Sequence, residues 1–141
     1  MKSLDTNVLA RFYAKDDPAQ PDIAFRIMAD EPSLFVTKTV VLELFWVLSK
    51  SPAYKMSAEI VHSAIRHLIS MRNVMVEDYD AVDRALEWSG RGLEFPDALH
   101  LAASQNCSEF LTFDRKRFAD VVSKLEGMAK PRCTVPEQVP R

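Results

Sequence analysis

Leu4-Asp5-Thr6-Asn7-Val8-Leu9 places an acidic residue where a strand gives way to a helix. Val8, Leu9 and Phe12 are spaced for one buried helix face, and Thr6 or Asn7 is expected to cap that helix by accepting a bond from an orphan backbone N–H. Asp5 then stands at the carboxyl end of the first strand, the edge where open α/β sheets hold their ligands. Asp5 could equally serve as a capping residue. What argues for more is that Glu43, Asp97 and Asp114 each lie in a similar apolar-to-helix context.

Outward from that stretch, short apolar runs alternate with helical periods. A helix over roughly 7–14 is followed by Asp16-Asp17-Pro18, with Asp17 as cap and Pro18 at the first helical position of a second helix. Ile23, Ala24, Ile27 and Met28 give that helix an apolar face, and Pro32 ends it. Leu34-Phe35-Val36 reads as a strand buried on both sides. Thr37-Lys38-Thr39 opens a helix through Val40–Leu48 that is apolar nearly all round, so Glu43 is expected inside the protein with it. Ser57 caps the next helix, whose stripe is Ile60, Val61, Ala64, Ile65, Leu68 and Ile69, with His62, Arg66 and His67 outside. Val74-Met75-Val76 is a third strand, and a helix with Val82, Ala85, Leu86 and Trp88 stops at Gly90 and Gly92. Pro96 opens a largely buried helix with Asp97 in its first turn, and residues 109–113 form a fourth strand closing on Asp114. A last strand is expected around Val121-Val122, and the tail from Lys130, with three prolines, as an extended arm. Strands alternating with helices call for an α/β fold, a parallel sheet with helices on both faces.

Composition narrows the class. The 141 residues are nearly half apolar, with a net charge of −2, so no global basic signature marks a nucleic-acid binder. The charge is uneven: residues 115–141 hold seven Lys/Arg against three Asp/Glu, and residues 1–114 eleven against seventeen. Cys107 and Cys133 form neither a disulfide framework nor a metal spacing. No apolar run suits a signal peptide or a bilayer span, so a cytoplasmic protein with reduced thiols is expected.

Glu43 is the residue hardest to explain structurally, because an ionised carboxylate among Val, Leu, Phe and Trp is expensive unless paired or bound to metal. A salt bridge, for instance to Arg11, is the simplest alternative. Asp97 could be a helix N-terminal charge and Asp114 a turn residue. Were all four acids at one sheet edge, they would repel, and a divalent cation would relieve them. All-oxygen ligation favours a hard ion, Mg²⁺ or Mn²⁺, over zinc. Such ions activate water and stabilise the leaving oxygen of a phosphodiester, which fits a metal-dependent nuclease. No GxSxG, HExxH, P-loop or GxGxxG competes with that reading. His100, one turn after Asp97, is expected to be packed in the core or to support the site. Phe45 and Trp46 read as core or dimer interface, and Arg115, Lys116 and Arg117 as either a solvated turn or contacts to substrate phosphates.

Four segments in order resemble a PIN-domain ribonuclease, and within that family the VapC toxins of bacterial toxin–antitoxin pairs. They are residues 4–11 with Asp16-Asp17-Pro18, Val41-Leu42-Glu43-Leu44, Phe95-Pro96-Asp97-Ala98-Leu99-His100, and Leu111-Thr112-Phe113-Asp114. The family's acidic quartet falls on Asp5, Glu43, Asp97 and Asp114, which the resemblance implies as metal ligands and catalytic residues. Thr6 and Asn7 match its first motif, and Thr112 the polar residue before the last acid, as supporting groups; Arg11, Arg115 and Lys116 are candidate substrate contacts. The resemblance implies a Mg²⁺- or Mn²⁺-dependent endoribonuclease, usually a homodimer, silenced by a cognate antitoxin. The expected organisation is a PIN-like domain over 1–127 and a basic, proline-containing extension over 128–141. Two rivals are a catalytically silent PIN-like scaffold that binds RNA or protein, and a receiver-type domain using Glu77 and Lys116.

Overall fold

A computed structural model describes residues 1–14, 21–125 and 131–137. The expected Asp16-Asp17-Pro18 turn and the domain limit at 127 lie outside the described residues. The chain forms two compact units, Met1–Tyr79 and Asp80–Arg141.

In the first unit, β1 (Lys2–Ser3), α1 (Thr6–Ala14), α2 (Pro21–Asp30), β2 (Leu34–Val36), α3 (Lys38–Lys50), α4 (Ala58–Ser70) and β3 (Val74–Val76) follow in order. The strands pair in parallel as β1-β2-β3, with Lys2 opposite Leu34 and Leu34 opposite Val74. Leu34 and Val36 of β2 are fully buried, as expected for the middle strand. The helix starts follow their caps. The Thr37 hydroxyl accepts the Val40 N–H at 3.2 Å and the Ser57 hydroxyl the Ile60 N–H at 3.3 Å. The end of α2 is tied down by Asn73, whose Nδ2 donates to the carbonyls of Met28 and Glu31 at 2.9 Å each. Glu77 and Asp78 secure the start of α3, accepting from the Lys38 N–H and Nζ. This structural use of Glu77 argues against its reading as a phosphorylation-site acid.

Two sequence expectations change here. Thr6 and Asn7 lie within α1 rather than capping it, and Asp5 is the residue before it. In α3 only Val41, Leu44, Phe45 and Leu48 are buried, at helical spacing, while Glu43 and Trp46 are exposed. Glu43 therefore does not enter the core. The stripe of α4 is buried at Val61, Ile65, Leu68 and Ile69 but not at Ile60. His67 on its outer face is exposed and lies 2.8 Å from the Tyr13 hydroxyl.

The second unit contains α5 (Tyr79–Ser89), α6 (Phe95–Ala102), β4 (Glu109–Leu111), a π-helical turn (Arg115–Ala119), α7 (Asp120–Ser123) and β5 (Arg132–Thr134). Val82, Ala85, Leu86 and Trp88 of α5 are buried as expected, and Pro96 sits in the first turn of α6. Strands β4 and β5 pair in parallel. The strand expected at Val121-Val122 is instead the short helix α7, which buries Val122; Phe118 in the preceding π-helical turn and Leu125 just after the helix are buried at the same helical spacing. The paired strand lies further on, at 132–134, so these residues are a sheet strand and not a free arm. The parallel α/β architecture is thus present, with its pairings grouped as one three-stranded and one two-stranded sheet among the described residues. Among those residues no helix is long and apolar enough to cross a membrane.

Leu34 has no exposed surface and Met75, on the neighbouring strand, is 56% exposed. Leu34→Ala is therefore expected to cost about 3 kcal/mol by urea unfolding, as buried leucine truncations do. Met75→Ala should change stability by no more than about 0.5 kcal/mol.

Candidate metal centre

The first unit builds its acidic site at the junction of β1 and α1. The chain leaves the sheet at Leu4, whose N–H donates to the Phe35 carbonyl at 3.0 Å, and α1 starts two residues later. Asp5 is thereby held before the helix N-terminus, and its Oδ1 accepts the Thr6 N–H at 2.7 Å. Thr6 is 5% exposed and turns its hydroxyl away from its own helix, donating to Oε2 of Glu43 at 2.8 Å. One buried threonine thus touches both acids, through its N–H and its hydroxyl. Asp5, Thr6, Asn7, Arg11 and Glu43 line one open cavity of about 350 Å³, with Tyr54 also on its wall. Glu43 takes its hydrogen bond from Thr6 and, among the described residues, forms no ion pair with Arg11. Its position on the exposed face of α3 removes the burial penalty that the sequence pattern implied, and the salt bridge is not needed.

The second unit builds its own pair. Asp97 lies in the first turn of α6 and is partly buried. Its carboxyl is pushed up from the ordinary range by burial first, then by the charges of Glu94 and Asp114, with His100 pulling the other way. Asp114 therefore shares the electrostatic neighbourhood of Asp97, and Glu94, three residues before it, adds a further negative charge. The Glu-x-x-Asp spacing at a helix start was the available signal for Glu94. Asp114 caps the π-helical turn, its Oδ1 accepting the Arg117 N–H at 2.9 Å, while the Thr112 hydroxyl accepts the Asp114 N–H at 3.0 Å. His100 is exposed and not a core residue, because α6 buries Ala98, Leu99, Leu101 and Ala102 instead. Arg115, Lys116 and Arg117 are all exposed immediately after Asp114.

The donors at both places are oxygens, the chemistry of a hard divalent ion. Among the described residues no three His, Cys, Asp or Glu side chains gather as a metal-holding group. Mg²⁺ keeps several waters and is commonly held by one or two carboxylates, so a pair of acids satisfies its protein share. Burial is the first cause of the upward push on Asp97, and the like charges of Glu94 and Asp114, which add to it, are ones that a cation would offset. The residues present fit such an ion.

Two outcomes follow from this geometry. Thr6→Val, which keeps the volume and deletes the hydroxyl, should lower stability by about 1 kcal/mol in urea unfolding. Asp97 has a folded-state pKa above its unfolded value, so its contribution to stability is present below the unfolded value, near pH 4, and is lost as pH rises through the folded one. Asp97→Asn should accordingly melt at least as high as the unsubstituted protein at pH 7 in EDTA, with a smaller difference at pH 4.

A model of the PIN domain family matches residues 3–124. No curated protein matches the chain. Among solved structures, it is similar to the Mycobacterium tuberculosis toxin VapC20, described as cleaving the sarcin-ricin loop. The likeness is at 22% identity and a TM-score of 0.43, covering 82% of this chain and 92% of that one. The family match spans most of the sequence and takes in Asp5, Glu43, Asp97 and Asp114, and on it the chain belongs to the PIN-domain family.

Proposed function

We propose that this protein is a divalent-metal-dependent endoribonuclease, the toxin of a toxin–antitoxin pair, with Asp5, Glu43, Asp97 and Asp114 as its ligand set. The observation that carries this reading is the pairing of acids within each unit. Asp5 and Glu43 line one cavity around Thr6, and Asp97 and Asp114 share one electrostatic neighbourhood, in a chain of the PIN family.

Bound Mg²⁺ or Mn²⁺ supplies a Lewis acid for the phosphodiester and lowers the pKa of its own water. The chain's residues prepare the rest. Asp5, Asp97 and Glu43 are the principal ligands, the two aspartates each set at a helix start. Thr6 fixes one oxygen of Glu43 and leaves the other free to ligate. Asp114 spends one oxygen on its cap and offers the second, as a peripheral ligand. Thr112 acts through Asp114 as a positioning residue. Asn7 borders the first pair as a supporting polar group; Arg11 lies beside the same pair, Arg115 and Lys116 follow the second, and these three cations would hold substrate phosphates. The toxin reading, a protein antitoxin and a homodimer are supported by the resemblance of the four motif segments to VapC toxins.

Cleavage of a structured RNA by purified protein, with Mn²⁺ or with EDTA, tests the reading. Cutting is expected with metal and not with EDTA. Asp5→Asn should reduce it more than ~100-fold and Thr112→Ala only about 10–100-fold, the usual range for groups behind the ligands. RNA retained but not cut by the unsubstituted protein would overturn the enzyme and favour the silent scaffold.

A further inference from the structure

The residues beyond the family match contain a strand in direct contact with the approach to Asp114. In the β4–β5 pair, Glu109 lies opposite Arg132, Phe110 opposite Cys133 and Leu111 opposite Thr134. One residue past the end of β4, the Thr112 N–H donates to the Thr134 carbonyl at 3.1 Å. The Thr112 hydroxyl then accepts the Asp114 N–H at 3.0 Å, so the path from β5 to Asp114 is two hydrogen bonds long. The Thr134 hydroxyl reaches back to Glu109 Oε1 at 3.3 Å, tying the two strands by side chains as well. On the other side of Asp114, Phe118 is buried and stacks on Phe110, ring centroids 5.1 Å apart. Asp114 is therefore slung between two fixed points, the Phe110–Phe118 stack and the Thr112–Thr134 bond. Strand β4 has three residues, two of them exposed, and its one sheet partner among the described residues is β5. So short a strand does not hold its geometry without a neighbour.

We infer that β5 is a positioning element for Asp114: the Thr134 carbonyl holds Thr112, and Thr112 holds the backbone that presents the acid. The catalytic half of this inference rests on the nuclease reading above; the structural half does not. Cys133, in the middle of β5, has its thiol pushed up by burial and then by the charge of Asp97, so the strand also borders the other acid of this unit.

Full-length Thr134→Pro tests the inference, since proline removes a ladder donor and is poorly tolerated inside a strand. Amide hydrogen exchange followed by NMR should show the Thr112 and Asp114 amides exchanging at least ~10-fold faster than in the unsubstituted protein, with α4 amides unchanged. RNA cleavage should fall about 10-fold, as for loss of a group behind a ligand. In an Asp114→Asn background the same substitution should have no further effect, because β5 acts through Asp114. If Thr134→Pro does not fold, Thr134→Gly, which keeps the N–H and only weakens the strand, should give the same pattern at smaller amplitude. Unchanged exchange at Thr112, or a full multiplicative loss in the double variant, would overturn the inference. Faster exchange at Thr112 in a protein that never cuts RNA would sink the nuclease reading and leave the path from β5 to Asp114 standing.

Discussion

Carboxylates held near one another within each unit are the constraint on which this molecule turns. Asp97 shows it most directly, its carboxyl pushed up by burial and then by the charges of Glu94 and Asp114. The fold tolerates such groups by placing them at helix starts, where free N–H groups and the helix dipole favour negative charge. Asp5 precedes α1, Asp97 lies in the first turn of α6 and Asp114 caps the π-helical turn. Glu43, in mid-helix, has no such help and receives a hydroxyl from Thr6 instead. Hydrogen bonding serves each acid singly; between Asp97 and its neighbours Glu94 and Asp114 the like charges still oppose one another, and the proposed cation would relieve them.

Much of this was legible before the structure. The Ser and Thr caps at 37 and 57 stand immediately before apolar stripes, and their hydroxyls accept the bonds that pattern implies. Leu34 and Val36 read as a buried strand because nothing polar interrupts them, and both are buried. The acids stood out for the same reason, each interrupting a sequence that was otherwise turning from strand to helix.

The misreadings have physical causes. The run from Val40 to Leu48 reads as apolar nearly all round, yet its buried members Val41, Leu44, Phe45 and Leu48 recur at helical spacing and leave Glu43 on the open side. Val121 and Val122 are β-branched and suggest a strand, but Phe118, Val122 and Leu125 set the helical period that prevails. Strand β5 was hidden because its three residues carry a charge, a cysteine and a threonine next to Pro131, a composition that announces a loop. Thr6 looked like a cap, and only the tertiary position of Glu43 shows where its hydroxyl goes. Contacts distant in sequence, such as Thr112 with Thr134, leave no periodic trace.

The central claim is that the acids hold a divalent ion, and the most direct measurement is a titration of metal-free protein with Mn²⁺ alone, followed by electron paramagnetic resonance. The account predicts saturable binding that weakens at least ~10-fold in both Asp5→Asn and Asp97→Asn while Glu59→Gln, on the exposed start of α4, binds as the unsubstituted protein does. Equal Mn²⁺ affinity in all four proteins, or no saturable binding in any, would contradict it.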